Sequence, residues 1–180
     1  MRAAGFAFET FPVDVDESVH DGETPAIYVR RLAAEKSAAA ASHAMSALVV
    51  GADTTVVVDG EMLGKPLDAA DAARMLGRLS GRRHEVLTGV SLRRGAYEIG
   101  CVETTAVYFA PLTDDDIAWY VASGEGRDKA GAYAIQGLAS RFIPRIDGSY
   151  SNVVGLPVAC VAALLREISD TRPDRSSPSR

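Results

Sequence analysis

An aspartate and a lysine, Asp53 and Lys65, stand at the two ends of the stretch GADTTVVVDGEMLGKP, residues 51–66. A carboxylate can take a proton from an attacking group, and an ammonium can bind a phosphate oxygen. The Asp-Gly pair at 59–60, set between apolar residues, is a strong signal for a two-residue hairpin. In that register Thr54 faces Lys65, so Asp53 and Lys65 are expected to be diagonal neighbours, roughly 7 to 8 Å apart or less at Cβ. They are then either a structural ion pair or a base beside a phosphate-binding lysine.

Further polar residues occur close to the expected strand ends: Glu17, Lys36, Asp128, Lys129 and Gln136. Lys36 follows Leu32 and Ala33 at helical spacing, which predicts that it projects from the buried side of its helix. Ligands of open α/β sheets bind at the carboxyl ends of strands, where lysines and carboxylates together suit a metal-chelated polyphosphate. Taken singly, each of these residues more often has a structural role. Taken together, they favour a site.

The composition is typical of one globular domain, with 180 residues, 47% hydrophobic and 24% charged. A net charge of −5 without any block of Lys or Arg argues against binding a nucleic-acid polymer, though not against binding a nucleotide. No apolar run approaches the roughly 20 residues of a membrane span, and no signal peptide is recognised. Cys101 and Cys160 form neither a disulfide framework nor a CxxC motif, so we expect small core residues in a reducing compartment, the cytoplasm.

Hydrophobic periodicity predicts a single α/β domain with a mixed central sheet flanked by helices. Helices are expected at 25–45, 68–81, 113–124 and 157–168. Strands are expected at 6–15, 46–53, 84–92, 97–109 and 140–146, besides the hairpin. The sequence contains no GxxxxGK[ST] phosphate loop, no GxSxG elbow and no HExxH zinc motif.

Two long stretches resemble the Maf family of nucleoside triphosphate pyrophosphatases, also called septum-formation inhibitor-like proteins. They are GADTTVVVDGEMLGKPLDAADAARMLGRLSGRRHEVLTGV and DKAGAYAIQGLASRFIPRIDGSYSNVVGLP, and the similarity covers residues from about 5 to 168. The resemblance implies a fold like that of inosine triphosphate pyrophosphatases. It also implies cleavage between the α- and β-phosphates, giving a nucleoside monophosphate and pyrophosphate, with a divalent metal such as magnesium or manganese.

The resemblance assigns a role to each candidate residue. It makes Asp53 the general base, places Glu17 and Asp53 on the metal side, and gives phosphate contacts to Lys36 and Lys65 and base recognition to Thr54 and Gln136. The DKAGAYAIQG form resembles the branch that prefers dTTP and UTP, a nucleotide housecleaning role. The alternatives are a 7-methyl-GTP pyrophosphatase of the sister branch and a non-catalytic nucleotide-binding regulator of cell division. A homodimer is also expected.

The family usually opens with an apolar strand and a Ser-Pro-Arg-Arg turn, which the start MRAAGF does not contain. We therefore expect residues 1–168 to form a Maf-like domain without its usual first strand, followed by a polar tail at 169–180. A longer cellular protein is the favoured explanation. A truncated member that binds nucleotides weakly is the alternative.

Overall fold

Five strands form the central sheet of the computed structural model, which describes residues 1–43 and 47–170. The strands are β1 Val49–Val58, β2 Glu61–Leu63, β3 Arg83–Arg94, β4 Tyr97–Tyr108 and β5 Arg145–Asp147. Their order is β2-β1-β3-β4-β5, and every neighbouring pair is antiparallel. The α/β class is confirmed. The sheet is antiparallel rather than mixed because β1–β2 and β3–β4 are hairpins, which need no crossover connection.

Five α-helices occur in the same described ranges. They are α1 Pro25–Ala41, α2 Ala69–Leu79, α3 Asp114–Ser123, α4 Tyr150–Val154 and α5 Val158–Asp170. Short 3-10 turns cover Arg2–Ala4, Ala130–Ala132 and Leu138–Phe142. The predicted caps are confirmed: the Thr24 and Asp68 side chains accept hydrogen bonds from the first turns of α1 and α2, and a capping box opens α3. No helix in the described part of the chain is long and apolar enough to cross a membrane.

The hairpin between β1 and β2 has the predicted turn. Asp59 and Gly60 have φ of 50° and 80°, the left-handed pair that a two-residue hairpin favours. Val58 pairs with Glu61, as the register predicts, but β2 ends at Leu63. The predicted pairing of Thr54 with Lys65 is therefore wrong, because the chain leaves the sheet two residues before that lysine.

Helix α1 lies directly on the sheet, and two glycines make room for it. A Cβ added at Gly51 would come within 2.3 Å of the Ala33 carbonyl oxygen, and one added at Gly89 within 2.1 Å of the Val29 carbonyl oxygen. Such distances are far below van der Waals contact, so any side chain there would push the helix away. This close packing brings Lys36, on α1, against the middle of β1.

The apolar core consists of two clusters. The larger one joins the sheet to α2 and α3 and includes the predicted inner stripe of α2: Ala72, Met75, Leu76 and Leu79. The smaller one packs Val161, Leu164 and Ile168 of α5 against Val90 and Leu92 of β3. The stripe prediction is confirmed, and the two clusters fix the walls on either side of β1.

Several expected boundaries are wrong. Residues 6–15 form neither helix nor strand, because they pair with no strand of the sheet, and Phe8 and Phe11 are exposed. The strand expected to end at Asp53 continues to Val58. Of the strand expected at 140–146, only 145–146 belong to β5, while 140–142 lie in a 3-10 turn. Helix α1 ends at Ala41, before the expected end at 45. The end could not be placed from the sequence because the alanine run contains no stop signal. Of the expected tail, 169–170 belong to α5 and 171–180 lie outside the described residues.

Cys101 of β4 and Cys160 of α5 form a disulfide, so the prediction of two unpaired cysteines is wrong. Both are partly buried beside the smaller core cluster, as expected of small core residues. They are 59 residues apart in the chain, and only the packing of α5 on the sheet brings them together. Spacing in the sequence therefore gave no signal for the pair.

Candidate active site

A cleft of about 260 Å³ opens beside β1. Because β2 pairs only with residues 56–58 of β1, the preceding residues of that edge face the cleft. Its walls come from four places in the chain: Ala52–Val56 of β1, Gly64 and Lys65 after β2, residues between 128 and 136, and 153–155. Glu17 and Tyr28 close one side. Most of the sequence-predicted site residues therefore meet at one edge of the sheet.

Lys36 joins two carboxylates at this edge. Its Nζ donates a hydrogen bond of 2.7 Å to Asp53 Oδ1 and another of 2.7 Å to Glu17 Oε1. The Asp53 side chain is only 12% exposed and that of Lys36 20%, whereas that of Glu17 is 47% exposed. The ion-pair partner of Asp53 is thus Lys36, on the packed helix, rather than Lys65, on the hairpin.

The loop that carries Glu17 is held by α1. The hydroxyl of Tyr28 donates a hydrogen bond of 3.0 Å to the Glu17 backbone carbonyl. The Arg31 guanidinium donates to the Ser18 carbonyl at 2.9 Å and pairs with Glu23. One helix therefore supplies Lys36 and also fixes the backbone that brings its second carboxylate into reach.

Burial sets the protonation of this cluster. Burial raises the pKa of Asp53 above its ordinary value, even though the hydrogen bond from Lys36 acts in the opposite direction. The hydrogen bond from Lys36 lowers the pKa of Glu17. Burial disfavours the charge of Lys36, but its hydrogen bonds to Asp53 and Glu17 prevail and raise its pKa. The lysine therefore stays charged, and Asp53 is the carboxylate that takes up a proton more readily than usual.

Lys65 lines the same cleft without a close carboxylate. In the part of the chain that the structure describes, its amine has no ion-pair partner within 4.0 Å. Its charge also favours the ionised carboxylates of Asp53, Glu17 and Asp128, as a small effect beside burial at Asp53 and the hydrogen bonds from Lys36 to Glu17 and from Lys129 to Asp128. An unpaired ammonium facing a cleft is available to an anionic ligand.

Thr54 lies on the opposite face of β1 from Asp53, because successive strand residues alternate. Its hydroxyl lies 2.8 Å from that of Thr88 and 3.3 Å from the Gly155 carbonyl oxygen, to which it donates. Thr54 thus links β1 to the turn before α5. The Thr54 hydroxyl lines the cleft. Through its contact with the buried Thr88 hydroxyl it connects the cleft to polar atoms in the core.

Gln136 reaches the cleft from an irregular segment that also supplies Asp128 and Lys129. These two charged side chains pair with each other at 2.9 Å. The segment is anchored to the hairpin, since the Gly131 N–H donates to the Gly64 carbonyl at 3.0 Å. That anchor ties the segment that carries Gln136 to the residue next to Lys65.

The cleft also contains residues that the sequence reasoning did not name: Tyr28, Tyr133, Val153, Val154 and Gly155. Tyr133 is buried, and its hydroxyl lies 2.8 Å from His84 Nε2, so its ring forms part of the cleft floor. Short helix α4 was also missed, although the Ser149 hydroxyl accepting from the Asn152 N–H is an ordinary N-cap. A Ser-x-x-Asn pattern before apolar residues was the available signal.

The donor set suits a divalent cation only in part. Among the described residues, no group of three or more His, Cys, Asp or Glu side chains could hold a metal ion. Glu17 and Asp53 do converge, because both hydrogen-bond the same lysine nitrogen. Magnesium commonly binds one or two carboxylates and completes its shell with water and substrate phosphates. Two carboxylates in a cleft that also contains Lys65 fit that pattern.

The chain matches a family model described as Maf-like protein over residues 1–168. It is 54% identical over 166 residues to the dTTP/UTP pyrophosphatase of Anaeromyxobacter dehalogenans, covering 90% of this chain and 84% of that protein. It is 51% identical to the protein of that name from Symbiobacterium thermophilum (93% and 86% covered). The one from Geobacter metallireducens is 49% identical (92% and 88% covered). With a family model matching nearly its whole length, this chain belongs to the Maf-like protein family.

Proposed function

We propose that this chain is a nucleoside triphosphate pyrophosphatase that hydrolyses dTTP and UTP to the monophosphate and pyrophosphate. The observation that carries the proposal is the Asp53–Lys36–Glu17 cluster, whose two carboxylates line the same cleft as Lys65, a lysine without an ion-pair partner among the described residues. Relatives about half identical along most of the chain have the name dTTP/UTP pyrophosphatase. Removing such nucleotides would be a housecleaning role.

Asp53 is the proposed general base. Its carboxylate takes a proton from a water molecule, the water oxygen bonds to the α-phosphorus, and the bond from that phosphorus to the bridging oxygen breaks. Pyrophosphate leaves with the electron pair of the broken bond. Burial favours this role, because a raised pKa makes the carboxylate a stronger proton acceptor at neutral pH.

The two lysines have different proposed tasks. Lys36 holds the Asp53 carboxylate in one orientation through a 2.7 Å hydrogen bond and neutralises the charge between the two acidic side chains. Lys65, which has no ion-pair partner within the described ranges, binds a phosphate oxygen of the substrate. Charge-assisted hydrogen bonds of this kind contribute roughly 1.5 to 3 kcal/mol each.

A divalent cation, magnesium or manganese, is the proposed cofactor. Glu17 and Asp53 would hold it, and it would supply positive charge that neutralises the phosphate oxygens. The 47% exposure of Glu17 leaves that side chain free to move from Lys36 to a cation. Binding of the metal would then leave the Lys36 ammonium available to the substrate.

Thr54 and Gln136 are the proposed contacts to the base. Both line the cleft, Thr54 from β1 and Gln136 from the segment after α3. An amide can both donate and accept, which suits the alternating donor and acceptor edge of thymine or uracil. The expected cytoplasmic location and homodimer stay predictions that belong to this proposal.

Pyrophosphate release from dTTP, UTP, 7-methyl-GTP and dATP, measured with magnesium, manganese or a chelator, tests the proposal. We expect turnover of dTTP and UTP that exceeds turnover of the other two and stops with the chelator. Preference for 7-methyl-GTP would assign the chain to the sister activity. Nucleotide binding without any pyrophosphate release would instead support a regulator.

A further inference from the structure

A five-residue loop, 134–138, presents Gln136 to the cleft and is held at its two ends by two side chains that hydrogen-bond to each other. At its start the Ala134 N–H donates a hydrogen bond of 3.1 Å to the Tyr120 hydroxyl. At its end the Leu138 N–H donates to Glu125 Oε2 at 2.9 Å. The Tyr120 hydroxyl in turn donates to Glu125 Oε1 at 2.9 Å. One chain of hydrogen bonds therefore spans the base of the loop.

Tyr120, the tyrosine in this chain of hydrogen bonds, is held rigidly by the core. Tyr120 is 1% exposed within the larger core cluster, and its ring packs edge-on against Phe142. Burial is the main cause that raises the pKa of its hydroxyl, which keeps the group neutral and able to donate to the carboxylate. The anchor of the loop is thus part of the core rather than of the surface.

Glu125 also fits closely against the loop itself. A Cβ added at Gly137 would lie 2.3 Å from Glu125 Oε2, so only glycine leaves space for the carboxylate. Neither Tyr120 nor Glu125 is among the residues lining the cleft. Their contacts are with the backbone on either side of Gln136, which excludes direct contact with a nucleotide in this arrangement.

We propose that Tyr120 and Glu125 are positioning residues that set the selectivity for the base by fixing the loop that presents Gln136. This inference rests on the proposed function. A fixed loop holds the amide where a pyrimidine can accept and donate. In a loosened loop the Gln136 amide can also adopt positions that suit other bases. The selectivity for the base then falls, while the proton transfer at Asp53 continues.

The test compares Tyr120→Phe and Glu125→Gln with the unchanged protein. Tyr120→Phe removes the hydroxyl that joins both ends of the loop, and Glu125→Gln keeps the shape but replaces one accepting oxygen by a donor. Ser80→Ala is the matched control, because it removes a hydrogen bond of 2.7 Å from the Leu112 N–H, outside the residues that line the cleft. The two readouts are hydrogen exchange of the Ala134 and Leu138 amides, and the ratio of kcat/KM for dTTP over dATP.

We expect both amides to exchange faster in Tyr120→Phe and Glu125→Gln, and the dTTP preference to fall about tenfold, the effect of one hydrogen bond of ordinary strength. The kcat for dTTP should change less than the KM. Ser80→Ala should leave both the exchange and the preference unchanged. In a Gln136→Ala background, Tyr120→Phe should have no further effect on the preference, since the two changes act on one step.

Faster amide exchange with an unchanged dTTP preference would overturn the positioning role while leaving the proposed function intact. Unchanged amide exchange in Tyr120→Phe would overturn it as well, whatever the activity. If the unchanged protein releases no pyrophosphate, the proposed function fails, and the selectivity role fails with it. The exchange measurement then still shows whether the two side chains hold the loop.

Discussion

Lys36 Nζ lies 2.7 Å from Asp53 Oδ1, across the contact between α1 and β1. The contact exists because the helix backbone packs onto a part of the sheet that has glycine instead of a side chain. A lysine at this place both stabilises the fold and controls the charge of the proposed base. The proposed role of Asp53 as a base therefore depends on the position of α1.

Replacing Lys36 by methionine should shift the acidic limb of the pH–activity profile to higher pH. The ammonium favours the ionised form of Asp53, so its loss raises further a pKa that burial already raises. The base then becomes protonated at a higher pH as the solution is acidified. We expect kcat at neutral pH to fall by about 10² to 10⁴. Lys36→Arg, which keeps the charge, should shift the limb less, and an unmoved limb in Lys36→Met would contradict the assignment.

Replacing Lys65 by methionine should affect substrate binding and not stability. With no ion pair within 4.0 Å among the described residues, its loss breaks no salt bridge between them. One charge-assisted hydrogen bond to phosphate is worth roughly 1.5 to 3 kcal/mol, so KM for dTTP should rise at least about tenfold. Thermal melting supplies the control, since the Tm should stay the same. A lowered Tm with an unaltered KM would make Lys65 a structural residue.

Replacing Gly51 by alanine should destabilise the protein and lower its activity together. The new Cβ would meet the Ala33 carbonyl oxygen at 2.3 Å, which forces α1 and its lysine away from β1. We expect a loss of about 1 to 3 kcal/mol in the free energy of unfolding, as for other overpacked sites. Gly77→Ala is the matched control: it lies exposed in α2 with open space around it and should stabilise by about 0.5 to 1 kcal/mol. Equal effects of the two changes in urea unfolding would argue against the close packing of α1.

His84 should make the folded state sensitive to mild acid. Burial is the main cause that lowers its pKa from 6.5 to about 4. Between these values the unfolded chain binds a proton that the folded chain does not, so stability is present above pH 6.5 and is lost as the pH falls toward 4. The full loss from a shift of this size is on the order of 3 kcal/mol.

The free energy of unfolding in urea at pH 7.5 and pH 5, with and without His84→Gln, measures this effect. We expect the variant to lose less stability between the two pH values than the unchanged protein does. His43→Gln removes an exposed histidine and should leave the difference as it is. A pH dependence that persists in His84→Gln would assign the effect to other groups.

Local patterns predicted much of the fold. The Asp-Gly pair at 59–60 gave the hairpin, Thr24, Asp68 and Thr113 gave the helix starts, and the apolar spacing of α2 gave its buried face. The spacing of Lys36 after Leu32 and Ala33 correctly turned it toward the sheet. Each of these features depends on residues that are close together in the sequence, and such local patterns can be read from the sequence directly.

Features that depend on distant parts of the chain were not predictable. The hairpin register predicted Asp53 and Lys65 to be diagonal neighbours, either an ion pair or a base beside a phosphate-binding lysine. The hairpin ends early, and the packing of α1 supplies Lys36 as the ion-pair partner of Asp53. The Cys101–Cys160 bond and the hydrogen bond from the Leu138 N–H to Glu125 likewise depend on how separate segments pack. Beyond the two hairpins, the antiparallel pairing of β1 with β3 and of β4 with β5 depends on tertiary contacts, so the sheet was expected to be mixed.

The most direct test of the account is pyrophosphate release from dTTP by Asp53→Asn, measured beside dTTP binding by calorimetry in the presence of magnesium. The amide keeps the size of the side chain and its contact with Lys36 but cannot accept the proton of the attacking water. We predict that turnover falls by at least about 10² while the chain still binds dTTP. Turnover close to that of the unchanged protein would contradict the assignment of Asp53 as the base.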